Sequence, residues 1–235
     1  MMQAVILAGG LGTRLGPITN EIPKVMIPID GKPFLGHQLS LLKHHGVTDV
    51  VLCIGHLGDK IKTHFGDGKK FGLTIRYSEE GNKLLGTAGA LKKAQDLLDD
   101  FFFVTYGDAY LIVDYAAVMK HFRSSDKLGL MVVFKNSDQF DRSNVVVGGG
   151  LVKVYSKRKK FPGMVYIDFG LSAFRKEALE LVPENKVVDL EKLNQELIKR
   201  KELLAYETDQ RFYEIGSPSG LREFERLVTT GQVKF

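Results

Sequence analysis

The run Leu7-Ala8-Gly9-Gly10-Leu11-Gly12-Thr13-Arg14-Leu15-Gly16-Pro17 follows an apolar segment near the start of the chain. Glycines placed just after a strand let backbone N–H groups approach an anion closely, and a guanidinium in the same loop neutralises it. This is the chemistry of a polyphosphate cradle. Two other phosphate-binding patterns fail on spacing: a P-loop needs a Gly-Lys-Ser/Thr end, which is absent, and a dinucleotide turn needs glycine where Leu15 stands. Ten residues beyond Arg14, Lys24 follows Pro23, whose ring fixes the local backbone and sets a single ammonium beside the loop. Further on, Phe101-Phe102-Phe103-Val104-Thr105-Tyr106-Gly107-Asp108 reads as a buried strand ending in a carboxylate, and ligands of α/β folds collect at such strand ends. The six histidines, at 37, 44, 45, 56, 64 and 121, form no metalloprotease or triad pattern. Cys53 lies within Val50-Val51-Leu52-Cys53-Ile54 and reads as a small buried hydrophobe.

These groups must be positioned by elements, and short β-rich runs alternate with segments of helical period, the signature of an α/β fold with a largely parallel sheet. Strands are expected at 3–7, 49–54, 73–78, 101–106, 129–135, 150–155 and 164–174. Helices are expected at 33–45 (Leu35, Leu39 and Leu42 inward), at 87–98 (Leu91, Ala94, Leu97, Leu98) and at 189–200 (Leu190, Leu193, Leu197, Ile198). A last helix should begin at Ser217-Pro218, with serine as cap and proline at its first position, and bury Leu221, Phe224, Leu227 and Val228. From about Asn136 to Phe161 the texture changes. Gly148-Gly149-Gly150 between two valine-rich runs reads as a hairpin-bearing insertion, followed by the basic run Lys157-Arg158-Lys159-Lys160.

At 235 residues, 44% hydrophobic and 26% charged, the chain is within the globular range and can bury a core without disulfides. Disorder, collagen and a disulfide scaffold are excluded. The beginning lacks a basic n-region and its apolar run is short for a signal peptide, and no stretch approaches the ~18 apolar residues of a membrane span. A cytoplasmic protein with no membrane partner is expected. The net charge of +5 suits an anionic partner, but no helix-turn-helix, zinc-finger or RNA-recognition pattern accompanies it, so nucleic acid is not expected.

Residues 5 to 33 resemble the signature of the sugar-1-phosphate nucleotidyltransferases, L-A-G-G-x-G-T-R-L-x-P-x-T followed by P-K-P and G-K-P, with Val25 in place of the second proline of P-K-P. The resemblance extends through Leu85-Gly86-Thr87-Ala88-Gly89-Ala90, Gly107-Asp108 and Glu214-Ile215-Gly216-Ser217-Pro218. It implies a single catalytic domain over 1–235, with a Rossmann-like three-layer, GT-A-like fold around a mixed, mostly parallel sheet. The implied partners are a nucleoside triphosphate and a sugar 1-phosphate, and the implied cofactor is Mg²⁺. Nucleotide contacts are implied for Leu7, Ala8, Gly9, Gly10, Gly12, Thr13, Gly86, Thr87 and Gly107. Arg14 would take the leaving pyrophosphate and Lys24 the phosphates at the reacting centre. Asp108 and Glu214 would hold the metal, Glu214 standing where the family has aspartate. Lys157 is the nearest counterpart of the family's sugar-phosphate lysine, and Asn144, Asp168 and Gly170 fall on the sugar side. Glu79 or Glu80, beside the base-binding segment, could accept two N–H bonds from guanine.

Such an enzyme joins a sugar-1-phosphate oxygen to the α-phosphorus of the triphosphate. That oxygen is already anionic at pH 7, so no general base is needed. Length and the segment Tyr213-Glu214-Ile215-Gly216-Ser217-Pro218 are similar to those of small guanylyltransferases acting on D-glycero-α-D-manno-heptose 1-phosphate. Transfer to mannose, glucose or N-acetylmuramate 1-phosphate, a phosphocholine-type cytidylyltransferase and a non-catalytic regulatory homologue remain open, as does a homo-oligomer.

Overall fold

The computed structural model describes residues 2–81 and 84–233. The chain enters through β1 (Met2–Leu7), passes the glycine-rich loop and the short α1 (Ile18–Glu21), and makes a small ribbon of β2 (Pro28–Ile29) and β3 (Lys32–Pro33) before α2 (Phe34–His44). Then follow β4 (Val47–Ile54), α3 (Gly58–Phe65), β5 (Thr74–Glu79), α4 (Gly86–Lys93), β6 (Phe101–Tyr106), β7 (Ala109–Leu111) and α5 (Tyr115–Arg123). The second half holds β8 (Gly129–Lys135), the hairpin β9 (Val145–Gly148) and β10 (Leu151–Tyr155), β11 (Tyr166–Arg175), α6 (Leu190–Arg200), β12 (Leu203–Thr208), β13 (Phe212–Glu214) and α7 (Pro218–Thr229).

Nine strands form one sheet in the order β5-β4-β1-β6-β11-β8-β12-β10-β9. The half that carries the glycine-rich loop, β5-β4-β1-β6, is parallel throughout. Beyond it β11 runs antiparallel to both β6 and β8, β12 is parallel to β8, and β10 is antiparallel to β12 and β9. All strands but β10 and β11 thus share one direction, but antiparallel pairing is as common as parallel along the order.

Side chains alternate between the faces, as strand geometry requires. In β1, Ala4 and Ile6 join a core with Leu35, Leu39 and Leu42 of α2 and Val118, Met119 and Phe122 of α5. Val5 faces the opposite core, with Leu91 of α4 and Leu190, Leu193 and Leu197 of α6. The result is three layers, helix on sheet on helix. A third, smaller core joins Phe34, Leu41, Tyr110, Ile215, Phe224 and Leu227, and so ties α7 to the β13–β7 pair.

Local signals act as expected at several points. Gly149 and Gly150 both take positive φ, at 59° and 72°, as a two-residue hairpin turn demands. Ser217 accepts from Gly220 N at the start of α7, with proline at its first turn. The helix expected over 87–98 instead stops at Lys93 and continues as a tighter 3-10 turn, Gln95–Leu97, because Leu98 must become extended to enter β6. Among the described residues no helix is long and apolar enough to cross a membrane.

Phe224 is fully buried, with ring centroids 5.0 Å from Phe34 and 4.9 Å from Tyr110. Phe224→Ala should cost about 3–5 kcal/mol of stability, read as a lowered urea midpoint, because it opens the core that fastens α7 to β13.

Candidate active site

Leu7 and Tyr106 are partners in the parallel β1–β6 ladder, so the glycine-rich loop and Gly107-Asp108 leave the sheet side by side at its C-terminal edge. Gly107 N donates to Leu7 O at 3.0 Å, and a Cβ on Gly107 would stand 2.7 Å from Val25 Cγ1. Only glycine admits this approach, and it brings Lys24 against Asp108: Lys24 Nζ donates to Asp108 Oδ2 at 2.5 Å, with both side chains more than four-fifths buried.

A cavity of about 230 Å³ opens on one side of this pair, lined by Leu7, Ala8, Gly9, Gly10, Lys24, Glu80, Gly86, Thr87, Gly107 and Asp108. Glu80 Oε1 accepts from Leu85 N at 2.8 Å, which orients the carboxylate on the cavity wall. A Cβ on Gly9 would collide with Glu80 Oε2, so a larger residue there would displace that carboxylate. Burial raises the Glu80 pKa, only partly offset by the Leu85 bond and Lys93. Cys53 also borders the cavity, but burial, with Glu80 adding, pushes its thiol up to about 12, which makes it inert as a nucleophile at neutral pH.

On the other side lies a second cavity of about 470 Å³, and the two share Tyr106 and Asp108. Arg14, Asn144, Lys157, Asp168, Gly170 and Glu214 all line it. Lys157 Nζ rests 5.0 Å from the Tyr106 ring centre and donates to its hydroxyl at 3.1 Å. The ladder of β11 is irregular between Asp168 and Ser172, and Gly170 there takes φ of 94°. That bulge turns the Asp168 carboxylate so that Oδ1 accepts from Gly170 N and Oδ2 from the Tyr155 hydroxyl, while Asn144 Oδ1 accepts from Asp168 N. Burial first, and then Asp168, raise the pKa of both Tyr106 and Tyr155, so both hydroxyls remain neutral, Tyr155 donating to Asp168 and Tyr106 accepting from Lys157.

Glu214 closes the far side of the shared region. Its Oε2 accepts from Gly216 N at 2.5 Å and its Oε1 from the Ser217 hydroxyl at 2.8 Å. A Cβ on Gly216 would collide with Glu214 Oε2 and stand 2.9 Å from both Asp108 Oδ2 and Arg14 Nη2. Two carboxylate oxygens therefore face one small space that glycine keeps open. Among the described residues no group of three or more His, Cys, Asp or Glu could hold a metal. Two hard oxygen donors fit a divalent ion such as Mg²⁺ that takes its remaining ligands from water and phosphate.

The model of the nucleotidyl transferase family matches residues 3–230. The D-glycero-α-D-manno-heptose 1-phosphate guanylyltransferase of Aneurinibacillus thermoaerophilus is 31% identical over 96% of this chain and 97% of its own length. The chain belongs to the sugar-1-phosphate nucleotidyltransferases. It is also 35% identical, over 80% of its length, to a UTP–glucose-1-phosphate uridylyltransferase of Synechocystis, and the match spans about half of that longer relative, 53%. Among solved structures, HddC of Yersinia pseudotuberculosis complexed with GMP-PN superposes with a TM-score of 0.79 at 27% identity, over 97% of this chain and all of that one.

In this nucleotidyltransferase most sequence-derived site residues gather around the two cavities. Gly12 and Thr13 line neither; Gly12, with φ of 67°, packs on Thr19 and Lys24 and shapes the loop from outside. Arg14 stands on the side of the second cavity, next to Gly216. Of the two glutamates, Glu79 pairs with Lys62 at 2.8 Å away from the cavity, which leaves Glu80. The glycines of the 85–90 segment serve packing: a Cβ on Gly86 or Gly89 would stand 2.7 Å from Val188 O or Lys186 O, and Thr87 Oγ1 accepts from Leu190 N at 2.6 Å. The basic run divides, with Lys157 at the second cavity, Lys160 on Asp138 at 2.6 Å, and Arg158 and Lys159 on a separate groove. Tyr106, Tyr155 and Arg142 went unrecognised in the sequence. The position of Tyr106 just before Gly107-Asp108 was the one available signal.

Gly216 is outside the left-handed region, so alanine fits its backbone. Gly216→Ala should keep the unfolding midpoint within about 1 kcal/mol of wild type. By displacing Glu214, Arg14 and Asp108 it should lower kcat/KM for pyrophosphate release about a hundredfold.

Proposed function

We propose that this nucleotidyltransferase transfers GMP from GTP to a sugar 1-phosphate, with D-glycero-α-D-manno-heptose 1-phosphate as the sugar substrate and Mg²⁺ as the metal. The observation that carries the guanine reading is Glu80. It lines the first cavity, its Oε1 is held by Leu85 N–H, and its Oε2 lies against Gly9. Guanine offers two adjacent N–H donors on one edge, which a carboxylate accepts together, whereas uracil, thymine and cytosine lack that pair. The sugar reading is supported by relatives of this name in Aneurinibacillus thermoaerophilus and Campylobacter jejuni, each 31% identical and matched over nearly their whole length.

In this reading the triphosphate occupies the first cavity, with its phosphates over Gly9 and Gly10, and the sugar 1-phosphate occupies the second. The α-phosphorus lies where the cavities meet, at Asp108. Lys24 holds the reacting phosphates, Lys157 the sugar phosphate and Arg14 the departing pyrophosphate, while Asp168, Gly170 and Asn144 shape the sugar subsite. A bound Mg²⁺ would draw negative charge from the phosphate oxygens and would be held by Asp108 and Glu214. Lys24 then exchanges its bond with Asp108 for one with phosphate. The attacking oxygen carries its own charge, so catalysis is by positioning and charge neutralisation.

Pyrophosphate release should be measured for GTP, UTP, CTP, ATP and thymidine triphosphate against heptose, mannose, glucose and N-acetylmuramate 1-phosphates. The highest kcat/KM is expected with GTP and the heptose. A preference for UTP with glucose 1-phosphate would replace the guanylyl reading, and no release from any pair would remove the catalytic one. Glu80→Gln should lower kcat/KM for GTP about ten- to a hundredfold and leave UTP nearly unchanged, since a bond to a charged acceptor contributes about 1.5–3 kcal/mol.

A further inference from the structure

We propose that Gln38 is a positioning residue for Asp108: from inside α2 it clamps both ends of the turn that presents the metal-side carboxylate. The residue is 3% exposed. Its Nε2 donates to Tyr106 O at 2.9 Å and to Ala109 O at 2.8 Å. These two carbonyls flank Gly107 and Asp108, so one amide group spans the turn and uses both of its protons there. Its Oε1 is buried without a partner among the described residues, although the other buried side chains of α2, Phe34, Leu35, Leu39, Leu41 and Leu42, are apolar. An apolar side chain would avoid that unpaired oxygen, but would leave two buried carbonyls unsatisfied at the turn.

Two further bonds complete the restraint. Gly107 N donates to Leu7 O at 3.0 Å, and Ile215 N donates to Asp108 O at 2.9 Å. The turn is thereby fixed to β1 on one side, to the Glu214 segment on another and to α2 from beneath. With backbone groups of residues 106, 107, 108 and 109 all held, Asp108 keeps little freedom beyond its own side-chain torsions. That restraint keeps Oδ2 facing both Lys24 and the space beside Gly216. Gln38 lines neither cavity, so it acts only through the turn.

The inference rests on the reading of Asp108 as a metal-holding carboxylate, and the test separates the two. Pyrophosphate release is titrated with Mg²⁺ for wild type, Gln38→Leu and Asp108→Asn, and Mn²⁺ binding in the presence of GTP without sugar phosphate is followed by electron paramagnetic resonance. For Gln38→Leu the half-activating Mg²⁺ concentration should rise about tenfold, and Mn²⁺ binding should weaken similarly, as loss of a group that orients a metal ligand does. The KM for sugar phosphate should stay within about twofold, because Asp168, Asn144 and Lys157 on the sugar side are held by bonds that do not involve the Gln38 amide. If Gln38→Leu does not fold, Gln38→Met is read by the same two assays, since it keeps the length of the side chain and donates to neither carbonyl. A folded variant with wild-type metal response, or with metal and sugar-phosphate constants impaired alike, would overturn the inference while a metal-blind Asp108→Asn left the Asp108 reading standing. An Asp108→Asn enzyme that also kept its metal response would remove both.

Discussion

The contact between Lys24 and Asp108 is the point on which the site depends, because it places a cation and an anion where the two cavities meet, and the proposed substrates of both are anions. Two unit charges 4 Å apart repel by about 4 kcal/mol at the effective dielectric of a protein surface, and two phosphates brought to bonding distance carry several such charges. In the proposed mechanism Arg14, Lys24 and Lys157 oppose that repulsion, and a metal held by Asp108 and Glu214 would oppose it further. Before substrate arrives, Lys24 and Asp108 satisfy each other, so neither is left as an unpaired, largely buried charge. The pair stores the site's charges in a neutral form and releases them to the ligands.

The fold places this contact through a few long-range constraints. The β1–β6 register sets Leu7 beside Tyr106, and glycine at 107 permits an approach to Val25 and the Leu7 carbonyl that a side chain would block. Glu214 comes from more than a hundred residues further along the chain. It is delivered by the short antiparallel pair of β13 with β7, which puts Glu214 opposite Ala109, and by the packing of α7 on Phe34 and Tyr110. The second cavity relies on a bulge in β11 and on Asn144 and Tyr155 holding Asp168.

What was legible in the sequence was whatever depends on local chemistry. The glycine-rich loop, the Pro-Lys step, the strand ending in Gly-Asp and the Ser-Pro start of α7 need only neighbouring residues to be read, and they stand as expected. α5 was overlooked although Tyr115, Val118, Met119 and Phe122 show a helical period, and β12 although Leu203 and Ala205 alternate. Roles set by distant partners were harder to see. The glycines at 86 and 89 are required by the backbone at 186–188, Lys160 is taken up by Asp138, and Gln38 looks like a polar interruption of an apolar helix until the carbonyls of Tyr106 and Ala109 are seen above it.

In the proposed mechanism the protein positions and neutralises, and contributes no nucleophile of its own. Among the described residues no histidine lines either cavity, and the Cys53 thiol beside the first is held protonated by burial. Direct attack of the sugar-phosphate oxygen inverts the configuration at the α-phosphorus, whereas a covalent nucleotidyl-enzyme would require two displacements and retain it. The decisive measurement is the stereochemical course with a nucleotide made chiral by sulfur at the α-phosphorus. Inversion is the predicted result; net retention would contradict the account by requiring a protein nucleophile that it does not contain.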